Sequence, residues 1–82
     1  MKIYLLTQDV NWGYDKYDAC VVVANSEEEA RNIHPGGDDW ETYLTPLLRS
    51  WANSPEEVKA EEIGETDKFS DPCIILASYN AG

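Results

Sequence analysis

The stretch KIYLLTQ, residues 2–8, decides the fold. Its aromatic and β-branched residues mark a strand, with Ile3, Leu5 and Thr7 on one face and Tyr4 and Leu6 on the other. Apolar side chains on both faces are the pattern of a central strand, buried on both sides. Downstream, DACVVVA (Asp18–Ala24) reads as a second strand. Asp9 to Tyr17 lies between them and holds Asn11, Gly13 and Asp15, so the two strands form a hairpin with a long loop.

Beyond the hairpin, NSEEEAR (Asn25–Arg31) is the strongest local signal. Ser26 with Glu29 three residues later makes a capping box, and three glutamates occupy the turn where the helix dipole favours negative charge. Pro35-Gly36-Gly37 ends this helix near His34, after about two turns. Asp38 to Ala52 reads as a short helix broken at Pro46, with Trp40, Tyr43, Leu44, Leu47, Leu48 and Trp51 at helical spacing. Ser54-Pro55-Glu56-Glu57 starts another helical turn. Val58 to Ile63 follows as a strand, Gly64 to Pro72 as a polar loop, and Cys73 to Tyr79 as the most apolar strand. The order is β-β-α-(α)-β-β, an α+β fold: two hairpins forming a four-stranded antiparallel sheet, with one or two short helices on one face.

Eighty-two residues make one domain, 1–82, with a small core and no room for a sizeable internal ligand cavity. Function is therefore expected on the outer surface. Sixteen acidic residues against six Lys and Arg give a net charge of −10, while 43% apolar residues separate the chain from disordered acidic tails. Such a surface repels nucleic acid and anionic membranes and attracts basic partners. The opening apolar run is too short for an export signal or a membrane span, which points to a soluble cytosolic protein. Cys20 and Cys73 lie in apolar runs and read as small buried hydrophobes, although neighbouring strands would also allow a bridge.

No catalytic signature emerges. His34, the only histidine, precedes Asp38 and Asp39, but Pro, Gly and Asp here are explained by a helix stop followed by an N-cap. No metal site or cofactor is therefore assigned. The paired carboxylates read as solvated surface, and Gly36-Gly37 lacks the lysine of a phosphate loop. The chain is read as a non-enzyme. The acids as a set are more informative, because duplex DNA carries one charge per roughly 1.7 Å and closely spaced carboxylates compete for a basic DNA channel. Asp15, Asp18, Glu27, Glu28, Glu56, Glu57, Glu61 and Glu62 are the candidate charges. Trp12, Tyr14 and Tyr17, in an acidic loop where exposed aromatics are costly, are the candidate buried contacts. Trp40, Leu44, Leu47 and Trp51 are assigned to the core.

GYDKYDACVVVANSEEEAR, PEEVKAEEIGE and the closing ILASYNAG together resemble a group of small acidic proteins carried by phages, prophages and their bacterial hosts. The resemblance covers about the first and last thirds of the chain; residues 34–53 stand apart from it. No catalytic residue comes with it. The phage-type setting implies an inhibitor of a host defence complex, of the anti-CRISPR kind. Its partner would be a host protein or ribonucleoprotein with a basic nucleic-acid channel, such as a CRISPR effector, reached in the host cytosol without direct contact to nucleic acid or membrane. The alternative reading is a structural or accessory phage protein that self-associates through a sheet edge or the aromatic loop.

Overall fold

A computed structural model describes residues 1–11, 13–37, 39–40 and 49–80. Strands β1 (Lys2–Thr7), β2 (Lys16–Ala24), β3 (Lys59–Glu65) and β4 (Cys73–Asn80) form one antiparallel sheet in the order β3-β1-β2-β4. The sheet is accompanied by one short helix, α1 (Glu27–Arg31), and a 3-10 turn at Pro55–Glu57. The fold is thus a small α+β domain dominated by its sheet. The helix expected within 38–52, with its break at Pro46, falls largely outside the described residues.

The central position expected for the opening strand holds: β1 pairs with β2 on one side and β3 on the other. The expected second hairpin does not form. β3 adds to β1 and β4 adds to β2, so the last two strands occupy opposite edges of the sheet. Residues 66–72 cross the end of the sheet instead of reversing tightly. Three strand spacings amount to about 14 Å, well within reach of a connection of that length. Its first residue is pinned as it leaves β3, with Thr66 N–H donating to Met1 O at 2.9 Å and the Met1 amino group donating to Thr66 O at 3.1 Å.

Register fixes the two faces of the sheet. Tyr4 lies opposite Val22 and Leu6 opposite Cys20, and these four side chains form the core with Ala24, Ala30, Trp51, Ala52 and Val58. This face is covered by α1 and by the chain leading into β3. On the other face Val23 is fully buried but Ile3, Leu5 and Val21 are only half-buried, so the two-sided burial read from KIYLLTQ is complete on one side alone. The cysteines divide between the faces: Cys20 lies opposite Ala77 within the core, Cys73 opposite Val23 on the other face, and both thiols are free. Burial pushes the Cys20 thiol up to about 11, so it stays protonated and acts as an apolar filler.

α1 is built as its sequence indicates. Ser26 Oγ accepts from Glu29 N–H at 3.1 Å, and the Glu29 carboxylate reaches back to Asn25 N–H at 2.7 Å. Half of this device recurs at Asn53-Ser54-Pro55-Glu56-Glu57, where the Glu57 carboxylate accepts from Asn53 N–H at 2.8 Å but the Ser54 side chain makes no capping bond. The helix stops at Arg31, earlier than the Pro35-Gly36-Gly37 signal, because the Asn32 side chain turns back to donate to Glu28 O at 2.8 Å. Replacing Ser26 with alanine is expected to cost about 1 kcal/mol in urea unfolding, the usual value of a lost N-cap.

Candidate protein-binding surface

The β1–β2 connection is acidic and aromatic yet tightly organised. Gln8, at the end of β1 and only 9% exposed, is its centre. Its Oε1 accepts from the N–H groups of Val10 (3.0 Å) and Asn11 (2.8 Å), and its Nε2 donates to Asn11 O and to Tyr17 O (3.2 Å). All four hydrogen-bonding positions of one amide are therefore spent on holding the loop. Asn11 Nδ2 donates to Arg49 O and Trp51 O, Lys16 Nζ donates to Arg49 O, and Tyr17 N–H donates to Ser50 O at 2.7 Å. These bonds tie the loop to the segment that carries Trp51. Sequence reading placed Gln8 in the strand and missed this role; its one visible signal is a long amide directly before the turn residues.

The tip turns through Gly13 (φ 115°) and Asp15 (φ 62°), the left-handed backbone that glycine and aspartate accept most readily. Asn80 closes it from β4, with its O accepting from Asp15 N–H and its Nδ2 donating to Gly13 O at 2.9 Å. Tyr14 is left 73% exposed. Tyr17 is placed differently: half-buried against the core, it meets Tyr79 edge-on at 4.9 Å between ring centres. The Tyr79 hydroxyl reaches Asp15 Oδ1 at 3.5 Å, and its pKa is raised by desolvation and by that carboxylate. Asp18 is exposed at the point where the β2–β4 register shifts. Trp12 lies outside the described residues.

The remaining candidate acids fall into two further groups. Glu27 and Glu28 open α1, and Glu28 and Glu56 line the same groove beside Arg31, Asn32 and Pro55. Glu61 and Glu62 lie on β3 but alternate, Glu61 beside Leu5 on the open face and Glu62 beside Tyr4 on the helix-covered face. Several acids already have partners: Glu27 pairs with Arg31 (2.8 Å), Glu62 with Lys2 (3.1 Å), and Glu57 caps Asn53. The Glu62 carboxylate also raises the pKa of Lys2. Asp15, Asp18, Glu28, Glu56 and Glu61 make no ion pair among the described residues. The structure thus assembles Tyr14, Asp15, Tyr17 and Asp18 into one end of the sheet, and leaves the other acids spread around the molecule.

His34 is buried; its Nδ1 accepts from Gly36 N–H at 2.9 Å and its ring lies edge-on to Trp40 at 5.2 Å. Among the described residues no group of three His, Cys, Asp or Glu is placed to hold a metal ion, and no helix is long and apolar enough to cross a membrane. An open hollow of about 660 Å³ at the opposite end of the sheet is lined by Met1, Lys2, Asn25, Glu65, Thr66 and Asp67, and by none of the described candidate residues. No protein-family model, curated protein or solved structure matches this chain.

Proposed function

We propose that the chain is a non-enzymatic binding protein whose Tyr14–Asp18 end docks on a basic, nucleic-acid-handling surface of a larger complex. The observation that carries this reading is the tip itself. An exposed tyrosine stands beside the carboxylates of Asp15 and Asp18, which have no ion pair among the described residues, on a loop held by Gln8, Asn11 and Asn80. A tip organised before binding loses little entropy on docking, and an aromatic anchor rimmed by charge is the composition of an interface hot spot. The net charge of −10 steers such a surface towards basic partners. The phage-type resemblance of the hairpin and α1 extends the proposal to an inhibitor of a host defence complex, with a CRISPR effector as the first partner to test. Glu27, Glu28, Glu56, Glu57, Glu61 and Glu62 contribute to the long-range field more than to this contact.

Immobilised wild-type chain is expected to retain a purified CRISPR effector ribonucleoprotein, to lose it as salt rises, and to compete with its duplex DNA. Combining Asp15→Lys with Asp18→Lys is expected to weaken that binding at least about tenfold, while stability falls by only about 1–2 kcal/mol, the cost of lysine in the left-handed backbone at position 15. Unchanged affinity after the double reversal would remove the electrostatic basis of the proposal.

A further inference from the structure

The two edges of the sheet are protected very differently. Both edge strands pair with a register irregularity, but β3 also carries Lys59, Glu61, Glu62 and Glu65, the charges by which natural sheets discourage pairing with another chain. β4, at the other edge, reads CIILASYN and has no charged residue along its whole length. Leu76 is 67% exposed on it, and Ile75 and Tyr79 are each more than two-fifths exposed. The same edge borders the open face of the sheet, where one row runs Glu61, Leu5, Val21, Leu76 and the next runs Gly64, Ile3, Val23, Cys73. A third row runs Lys59, Thr7, Ala19, Ser78, so this face is charged at the β3 edge and uncharged at the β4 edge.

We propose that β4 is a homotypic docking edge, along which two copies of this chain pair antiparallel and join their sheets across a two-fold axis. A second copy is the occupant because the strand carries no charge with which to select a different partner, and a two-fold seam sets this apolar patch against itself. Charge placement favours the same occupant. Two chains of −10 repel, and β4 is the strand along which they can approach with no carboxylate on the pairing residues. In the joined sheet each Leu76 gains a cross-strand apolar neighbour, and the Leu5–Val21–Leu76 row of one copy continues into that of the other. The Tyr14–Asp18 tips stay at the ends of the strands, outside the middle of the seam, so the dimer does not depend on the tip's contact with a basic partner.

The test is sedimentation equilibrium of the full chain at low and high salt, beside Leu76→Lys. The wild type is expected to dimerise with a dissociation constant between about 1 μM and 1 mM. Rising salt should tighten this dimer by screening the mutual repulsion, the opposite of its effect on an acid-driven partner contact. Leu76→Lys, at a largely exposed position, is expected to weaken the dimer at least about tenfold. Hydrogen exchange supplies a second readout, in which β4 amides become more protected as concentration rises and β3 amides do not. A wild-type chain that stays monomeric to about 1 mM overturns the proposal. So does a dimer that survives Leu76→Lys, or one whose β4 amides exchange independently of concentration.

Discussion

Trp51→Ala is expected to destabilise the domain by about 3–5 kcal/mol, more than any other single substitution proposed for this chain. Trp51 is fully buried and is the bulkiest of the fully buried side chains, packed with Leu6, Cys20 and Val22 under the two central strands. It also anchors the chain that carries Ala52 and Val58 into β3, so its loss opens a cavity where the sheet meets its cover. Domains of this size have a total stability of roughly 4–12 kcal/mol, so the loss is at least about a quarter of it. Urea unfolding followed by circular dichroism measures the loss. Trp51→Phe separates packing from polarity. The indole Nε1 is buried with no hydrogen-bond partner among the described residues, so phenylalanine removes an unsatisfied donor while keeping most of the apolar volume. That change should cost well under half as much. A loss below about 2 kcal/mol for Trp51→Ala would show that the sheet does not depend on this anchor.

Gln8→Ala should cost about 2–4 kcal/mol, although it removes a polar side chain from the start of a loop. The reason is the number of groups left without a partner: the N–H groups of Val10 and Asn11 and the carbonyls of Asn11 and Tyr17. Each net hydrogen bond is worth about 1 kcal/mol, and each polar group left buried and unpaired costs at least as much again. At about 4–8 °C per kcal/mol, the melting temperature is expected to fall by roughly 8–32 °C. Gln8→Glu is the informative companion. It keeps the acceptor facing Val10 and Asn11 but turns a carboxylate oxygen towards two carbonyls, so it should rescue little. A Gln8→Glu variant as stable as wild type would mean that the two donated bonds contribute nothing. Scanning calorimetry of the three proteins decides between these outcomes.

Where the chain's own pattern is local, it was legible. The capping residues of α1, the turn at Pro55, and the strands around KIYLLTQ, ACVVVA, KAEEI and CIILASY all fall where hydrophobic period and turn chemistry put them, within a few residues at their ends. The candidate tip was legible in composition, since GYD at a hairpin end is unusual. Its internal division was not. Tyr14 and Tyr17 are three residues apart, yet one is exposed at the loop tip and the other packs against Tyr79, because Tyr17 already lies in β2 and pairs with the end of β4. The acids show the same limit. Glu61 and Glu62 look like one charged pair in the sequence, but strand alternation sends them to opposite faces, and Lys2 on the adjacent strand claims one of them.

The sequence by itself determined which segments are strands, where α1 begins, and that β1 is central, because these follow from nearest-neighbour backbone chemistry and from apolar residues on both sides of one strand. Only the tertiary structure decided that β3 and β4 part to opposite edges. A polar connection such as 66–72 serves equally well as a hairpin loop or as a crossing, and the choice rests on which neighbour each strand finds, β1 for the charged KAEEIGE and β2 for the uncharged CIILASYN. That non-local choice leaves one edge guarded by charge and the other bare, and it places the tip, the core tryptophan and the open apolar face relative to one another.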